Sequence, residues 1–554
     1  MTVSSNSKNS VRWFYAAVVL YCVVFMLGYF TVRDYGMTWD EPFRFSGGDA
    51  KLNYYQSLFS GETVEPLKDS YPGLFDLPLA IVHEQFPDWG TRSQKGHVWS
   101  LCFGLLGLLS VWRLTARIGG ERAGFWALLL LATLPRYYGH MFFNPKDIPL
   151  AATYTIGLWA LVELFSRLPR PDWKPVICIG LAAGMAMSCR IAGFLILCYL
   201  GLFVALFLLL RLLSKDLTLP QLPKEIGYWV VRGGVAGLLG FTILAIFWPT
   251  LHQNPFASVG ASMETVQSYG WGGFVLMDGN FWEAQDLPFY YVPYWLLFTL
   301  PEHIMLFLAI GLGGGAFRSC GLARVRAWAR LLPLMTPGVV VFAAAFPLLY
   351  IVSKDPVLYD GMRHILFTLP PLVATSALAF EWCLRGVTSR CSSRAALILQ
   401  MGLGVAVLIT VAEMILLHPY QYVYFNQVSG GLPAAYARDE TDYWGLSHKE
   451  AGDWLNEYVE QIAPAGERVF KVHQRYTRSM LKEALDPNRF EMWQPREGAD
   501  FFVSITRFNL HSSYPEAKLL HVVERQGVPL CFIFALSDEM KSANLPKLQI
   551  PQKM

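Results

Sequence analysis

Asp40 and Glu41 are adjacent carboxylates in the stretch MTWDEPF, eight residues past the first apolar window of the chain, with Trp39 beside them. Pro42 disfavours a helical conformation at the residue before it, which puts the pair on an irregular loop. Two carboxylates next to an aromatic are a candidate active site; the alternative is that Asp40 caps a helix starting at Pro42. A second cluster, HMFFNPKDIPL, sets Asn144, Lys146 and Asp147 directly before an apolar run. Asp147 ahead of Ile148 and Pro149 also fits a helix N-cap, where the positive end of the helix dipole favours an anion. Arg190 lies between two apolar runs, and Arg363 with His364 opens another. Ionisable groups at membrane level are costly unless paired or used. A few Arg and Lys side chains converging near a membrane surface suit a lipid-linked phosphate, because guanidinium offers bidentate contacts and a fixed charge. The alternative for such cations is snorkelling to headgroups.

The elements that hold these residues have to be membrane spans. Of 554 residues, 54% are hydrophobic and only 16% charged, a balance that excludes an ordinary water-soluble enzyme. The net charge of +3 gives no nucleic-acid signal. Nine cysteines include no CxxC pair, and Cys22, Cys102, Cys178 and Cys198 lie in apolar runs, so neither a zinc site nor a disulfide framework is indicated. Windows of about twenty apolar residues, the length that crosses the hydrocarbon as a helix, fall near 13–32, 98–114, 123–140, 148–166, 175–189, 191–213, 228–248, 293–314, 332–352, 363–383 and 396–417. The first follows Lys8 and Arg12 but runs too long for a secretory signal and offers no small-residue cleavage site, so it is a retained helix.

Alternate loops keep the cations. Arg113, Arg117 and Arg122, then Arg167, Arg170 and Lys174, then Arg211, Lys215 and Lys224 recur on one side, with later groups around 318–330 and 385–394. The positive-inside rule makes that side cytoplasmic, together with the N-terminus, and an odd helix count sends the C-terminal tail outward. Outward segments are then 33–97, 136–147, 249–292 and 353–364. Segment 249–292 contains no Lys or Arg, and its Trp271, Trp282, Tyr290 and Tyr291 are of a type that stacks on sugar faces or sits in an interfacial belt. Segment 33–97 reads as short amphipathic helices along the interface. After residue 417 the character changes: SHKEAGDWLNEYVEQI is helical in pattern, whereas ERVFKV, ADFFVSI and PLCFIFAL are strand-like. The expected fold is an α-helical polytopic membrane protein with about eleven transmembrane helices at residues 1–417 and a small extracytoplasmic α/β domain at 418–554.

The stretches TWDEPFRFSGG, FFNPKDIP and GMRHILFTLPP resemble those of the GT-C class of polytopic glycosyltransferases, close to the dolichyl-phosphate-mannose protein mannosyltransferases and the bacterial aminoarabinose transferases. HPYQYVYFNQVSGG and ARDETDYWGLSHKEA look like a stretch of bacterial members. The resemblance implies inverting transfer of a sugar from a polyprenyl-phosphate carrier to a lipid, glycan or protein acceptor on the outer face of the inner membrane. By position, Asp40 matches the family's first-loop catalytic acid, Glu41 its neighbour, and Asp147 the acid found before the fourth helix. The chain departs from the protein mannosyltransferases in showing no evident MIR-type domain, and in placing Phe43 and Arg44 where a His often follows.

In such a transfer the leaving group is already a stable anion, so a general acid is less necessary than in glycoside hydrolysis. One carboxylate base suffices, and Asp40 takes that role with Glu41 or Asp147 orienting the acceptor. Lys146, Arg190, Arg363 and His364 would stabilise the departing phosphate. No carboxylate spacing identifies a metal cage; a divalent ion is possible but none is expected to be essential. Two rival readings remain: a transporter or flippase of lipid-linked sugars, which requires polar residues deep in the spans, and a non-catalytic membrane assembly protein.

Overall fold

The computed structural model describes residues 3–542 apart from 65–66, 68–70, 253, 256–257, 261–269, 326, 464–467 and 476–477, with side chains from residue 10 onward. The chain opens on α1 (Val3–Thr31). Ala17 and Val24 are buried against the bundle, while Tyr15, Val19, Tyr29 and Phe30 face outward. Apolar side chains exposed along a whole helix are at home only in lipid. Two shorter helices follow, α2 (Glu41–Ser60) and α3 (Asp76–Gln85), packed on one another. Pro42 stands in the first turn of α2, where its missing N–H deprives the helix of no bond. Glu41 is therefore a helical residue instead of a loop residue. Gly61 ends α2 in the left-handed conformation with φ 73°.

The bundle continues with α4 (Arg92–Gly119), α5 (Glu121–Ala132), α6 (Pro135–Phe143), α7 (Asp147–Phe165), α8 (Trp173–Met187), α9 (Leu195–Leu213) and α10 (Leu222–Phe247). Among the described residues nine helices are long and apolar enough to cross a membrane: α1, α4, α7, the stretches that end in α9 and α10, Glu302–Arg324, Trp328–Lys354, Arg363–Arg390 and Ser393–Leu417. The difference from eleven has local causes. Pro135 divides the window 123–140 into α5 and α6, and the window 175–189 is the short α8. The window 293–314 is likewise broken at Pro301 into Tyr291–Thr299 and Glu302–Arg324.

Helix α7 is the centre of the bundle, buried along most of its length and packed by α4, α8 and Met335–Lys354. The α8–α10 crossing depends on small residues. A Cβ on Gly180 would lie 2.7 Å from the Ala236 carbonyl oxygen, and one on Gly184 2.7 Å from that of Gly240. Close backbone approach through glycine is how helices associate where lipid removes the hydrophobic drive. The cation-rich loops meet at one end of the bundle, where Glu163 pairs with Arg117 at 3.2 Å and Glu225 with Arg170 at 2.5 Å and Arg211 at 3.6 Å.

At the other end the hairpin β1 (Phe274–Met277) and β2 (Asn280–Glu283) turns through Asp278 and Gly279, both with positive φ, the Asp-Gly signature of a tight hairpin. The Glu440 N–H donates to Leu276 O at 3.0 Å and the Gly279 N–H to Arg438 O at 2.9 Å, so this hairpin is joined to segment 438–440. The C-terminal unit carries the helix His448–Ile462 on a five-stranded sheet of β3 (Phe470–His473), β4 (Phe490–Trp493), β5 (Phe501–Ile505), β6 (Lys518–Arg525) and β7 (Val528–Ala535). Strand order is β4-β3-β5-β7-β6, with β3 parallel to both neighbours and the β5–β7–β6 side antiparallel. The three strand-like runs of the sequence are β3, β5 and β7.

Candidate active site

Glu41 and Asp40 are adjacent, but they serve different partners. Glu41 Oε2 accepts from the Thr38 N–H at 2.6 Å and the Thr38 hydroxyl at 2.9 Å, and its Oε1 lies 3.2 Å from His97 Nε2. These bonds close the corner before α2. Asp40 makes no side-chain bond to the helix it precedes. It is 6% exposed, and its Oδ2 accepts from Arg363 at 2.6 Å and faces Lys146 Nζ at 3.2 Å. Asp40 is thus a buried anion shared by two cations from distant parts of the chain and is not a helix cap.

At α7 the capping role falls to Asn144, whose Oδ1 accepts from the Lys146 N–H at 3.1 Å and the Asp147 N–H at 2.8 Å. Relieved of capping, the Asp147 carboxylate takes Arg190 at 2.7 Å and the Asn144 amide at 3.1 Å. Asn144 also meets His140 at 3.2 Å, and His140 Nε2 lies 3.1 Å from the Tyr443 hydroxyl. Lys146 sits 5.0 Å from the Tyr71 ring centroid, and Arg44 is at the same distance from that ring. Arg44 is in turn ion-paired with Asp76. Asp40, Lys146 and Arg363 therefore meet directly, and Asp147 with Arg190 adjoins them through the Asn144-Lys146-Asp147 corner.

The network extends to residues that the sequence reading did not single out. Arg363 Nε lies 3.2 Å from Asp360, and the Arg363 guanidinium is flanked by the rings of Tyr359 at 4.7 Å and Trp444 at 5.1 Å. Asp360 accepts from Trp444 Nε1 at 2.9 Å and from Arg507 at 2.6 Å. Arg507 belongs to the C-terminal unit, just past β5, and its Nε lies 3.8 Å from Glu440. Two signals for these residues were present: an Asp-Gly turn directly ahead of Met362-Arg363-His364, and the acidic run 439–442 within a stretch already likened to bacterial glycosyltransferases.

The aromatic candidates divide. Trp271 stacks on Tyr359 at 4.4 Å, and its ring lies 5.5 Å from Arg507, next to the network. Tyr291 is buried and its hydroxyl donates to Gly361 O at 3.0 Å, fixing the turn before Arg363. Trp282 donates to Met277 O at 3.2 Å within the hairpin, and Tyr290 meets Phe289 edge to face and Tyr294 at a tilt of 53°. His364 lies edge-on against Tyr359 at 4.7 Å.

Burial by itself raises the Asp40 carboxyl, but the Lys146 and Arg363 charges outweigh it and hold the group well below the usual carboxylate range. Glu440 goes the other way. Burial pushes it up to about 8, against the opposing influence of Arg507 and Arg363. Among the described residues no group of three or more His, Cys, Asp or Glu side chains is arranged to hold a metal ion.

No curated protein matches the chain. Among solved structures, ArnT from Cupriavidus metallidurans bound to undecaprenyl phosphate is similar at 14% identity and TM-score 0.47, over 94% of this chain and 98% of that one. The Archaeoglobus fulgidus oligosaccharyltransferase in complex with Zn and sulfate gives 12% identity and TM-score 0.44, over 81% and 61%. The S. cerevisiae protein O-mannosyltransferase Pmt1-Pmt2 complex bound to the sugar donor gives 16% and 0.36, over 44% and 34%. Residues 86–222, the stretch that carries Asn144, Lys146, Asp147 and Arg190, match the family model of the dolichyl-phosphate-mannose-protein mannosyltransferases, and in that stretch the chain is similar to this family.

Proposed function

We propose that this multi-pass membrane protein is an inverting glycosyltransferase that moves a sugar from a polyprenyl-phosphate donor to a lipid, glycan or protein acceptor. Residues 1–417 form the membrane-embedded catalytic part, and 418–554 an extracytoplasmic domain. The protein lies in the inner membrane with the N-terminus cytoplasmic, as the cation-bearing loops gathered at one end favour. The observation that carries the reading is the meeting of Asp40 with Lys146 and Arg363 in one buried corner.

The arrangement suggests how donor binding and base activation are coupled. A carboxylate held by two cations is ionised but a weak base. A lipid-linked phosphate competes for Lys146 and Arg363, and as they turn to it the Asp40 carboxylate regains basicity. It then takes the proton of the acceptor hydroxyl as the bond to the anomeric carbon forms and the phosphate departs with the bonding pair. Asp147, oriented by Asn144 and Arg190, faces the same corner. Charged residues of the spans lie mainly near their ends, as with Asp147 and Glu163 in α7, and Arg232 of α10 reaches back to Pro171 O at 3.4 Å. That distribution favours chemistry at a surface over a polar path through the bilayer.

The test supplies membranes containing the protein with labelled polyprenyl-phosphate sugars, with and without added divalent ions, and identifies the labelled product. Asp40→Asn is expected to lower the rate by about 10²–10⁴, the range of a general base. Equal product from parent and variant rejects Asp40 as the base. No product from any donor rejects the transferase.

A further inference from the structure

Three carboxyl groups stand together at 439–442, and the chain pairs two of them closely. Asp439 accepts from the Asp278 N–H at 3.1 Å, the Tyr294 hydroxyl at 2.7 Å and Arg438 at 2.7 Å. Asp442 accepts from the Leu446 and Ser447 N–H groups at 2.9 and 3.0 Å, and from the hydroxyls of Tyr422 and Ser447. Glu440 is different. It is 6% exposed, its carboxyl meets the Leu276 backbone and stands 3.8 Å from Arg507 through Oε1, and its Oε2 has no side-chain partner among the described residues. A buried carboxyl with so few close partners is under-paired, and a ligand in the adjoining cavity would complete its hydrogen bonds.

Glu440 lines a cavity of about 220 Å³ between the β1–β2 hairpin, segment 436–443 and the turn 506–511. Phe281, Tyr436 and Phe508 give it aromatic surface; Thr441, Thr506 and Asn509 give it polar edges. Sites for drug-sized ligands run to ~300–1,000 Å³, so this one is scaled to a single ring. Aromatic faces beside a rim of hydroxyl, amide and carboxyl groups complement a ring with apolar C–H faces and a hydroxylated edge.

We propose that this cavity binds one sugar ring of the acceptor, with the Glu440 carboxyl in its wall meeting a ring hydroxyl; the assignment to the acceptor rests on the transferase reading above. Position separates it from the unit being transferred. From Asp40 the path runs to Arg363 at 2.6 Å, to Asp360 at 3.2 Å and to Arg507 at 2.6 Å, and only Arg507 borders the cavity. A ring held here is a unit remote from the reacting hydroxyl. Binding energy gained there serves orientation at Asp40. Burial pushes the Glu440 carboxyl toward its protonated form, with Asp360 reinforcing and Arg507 and Arg363 opposing. A neutral carboxyl both donates and accepts, as a pair of hydroxyls does.

The experiment uses the purified full-length protein in detergent and saturation-transfer NMR with D-glucose, D-galactose, D-mannose and N-acetylglucosamine as probes. At least one sugar is expected to receive saturation. Phe281→Ala and Asn509→Asp, both at exposed positions, should weaken that binding about tenfold through a lost aromatic contact or a misplaced hydrogen bond. Asp40→Asn should retain it. No saturation in the parent, equal saturation in the two cavity variants, or loss confined to Asp40→Asn overturns the proposal. In the labelled-donor assay the cavity variants should raise the acceptor KM and leave the donor KM alone. Cavity-dependent sugar binding without transfer from any donor overturns the transferase reading and leaves the sugar site standing. Transfer without cavity-dependent binding overturns the sugar site alone.

Discussion

Asp40 is buried, and burial pulls its titration upward, so the ionised state of the candidate base depends on Lys146 and Arg363. Its pKa is depressed in the folded protein. Its contribution to stability is therefore present above the ordinary carboxylate range and lost only as pH falls below it. Lys146→Met removes one of the two cations, and the acid limb of kcat/KM should then move up by about one pH unit or more. A pH–rate profile with labelled donor checks this, and an acid limb that does not move contradicts the assignment. Glu440 has the opposite sign. With a folded value near 8, the native state holds a proton that the unfolded chain releases near the ordinary glutamate value, so stability declines as pH rises across that window. Thermal melting in detergent between pH 5 and about 9 should show that decline in the parent and lose it in Glu440→Gln. The charges facing this group, Arg507, Arg363 and Asp360, are unchanged by that substitution.

At the scale of elements, two junctions can be tested. Asn144 holds the start of α7 and aims Asp147, so Asn144→Ala should cost about 1 kcal/mol for the cap and lower activity beyond what that destabilisation explains. The α8–α10 crossing should be less forgiving. Gly184→Val places a side chain against the Gly240 carbonyl and should destabilise by about 1–3 kcal/mol, whereas Gly201→Ala in α9, with open space around it, should stay within about 1 kcal/mol of the parent. Melting midpoints in detergent separate the two. The apolar windows and the β3, β5 and β7 runs were legible in the sequence because hydrophobic length and alternation are local signals. The break at Pro301 and the short α8 were not. A proline inside a window reads equally as a kink in one helix or a break between two until neighbouring helices settle it. The same local ambiguity hid the capping role of Asn144, since Asp147 has equivalent cap chemistry and stands closer to the helix start.

At the scale of the whole molecule, the candidate site draws on residues 40, 146, 147, 190, 360, 363, 440 and 507. Asp40, Lys146, Asp147, Arg190 and Arg363 stand out in the sequence, because an ionisable side chain beside an apolar window is conspicuous by itself. Asp360, Glu440 and Arg507 stand in polar surroundings where charge is ordinary, and only the pairing of Arg507 with Asp360, 147 residues away, gives them meaning. Arg507→Ala leaves Asp360 with Arg363 and Trp444 but removes the link to the sheet unit. Breaking a buried pair in this way typically costs ~3–5 kcal/mol. The expected outcome is faster protease cleavage between the Ser393–Leu417 helix and the sheet, read by limited proteolysis in detergent. An unchanged cleavage rate denies the link any structural weight. The Arg507 pairing also bears on how such proteins diverge and are recombined. A tail transplanted from a relative has to bring a donor that reaches position 360, or Asp360 keeps only Arg363 and Trp444 and the two halves lose this joint.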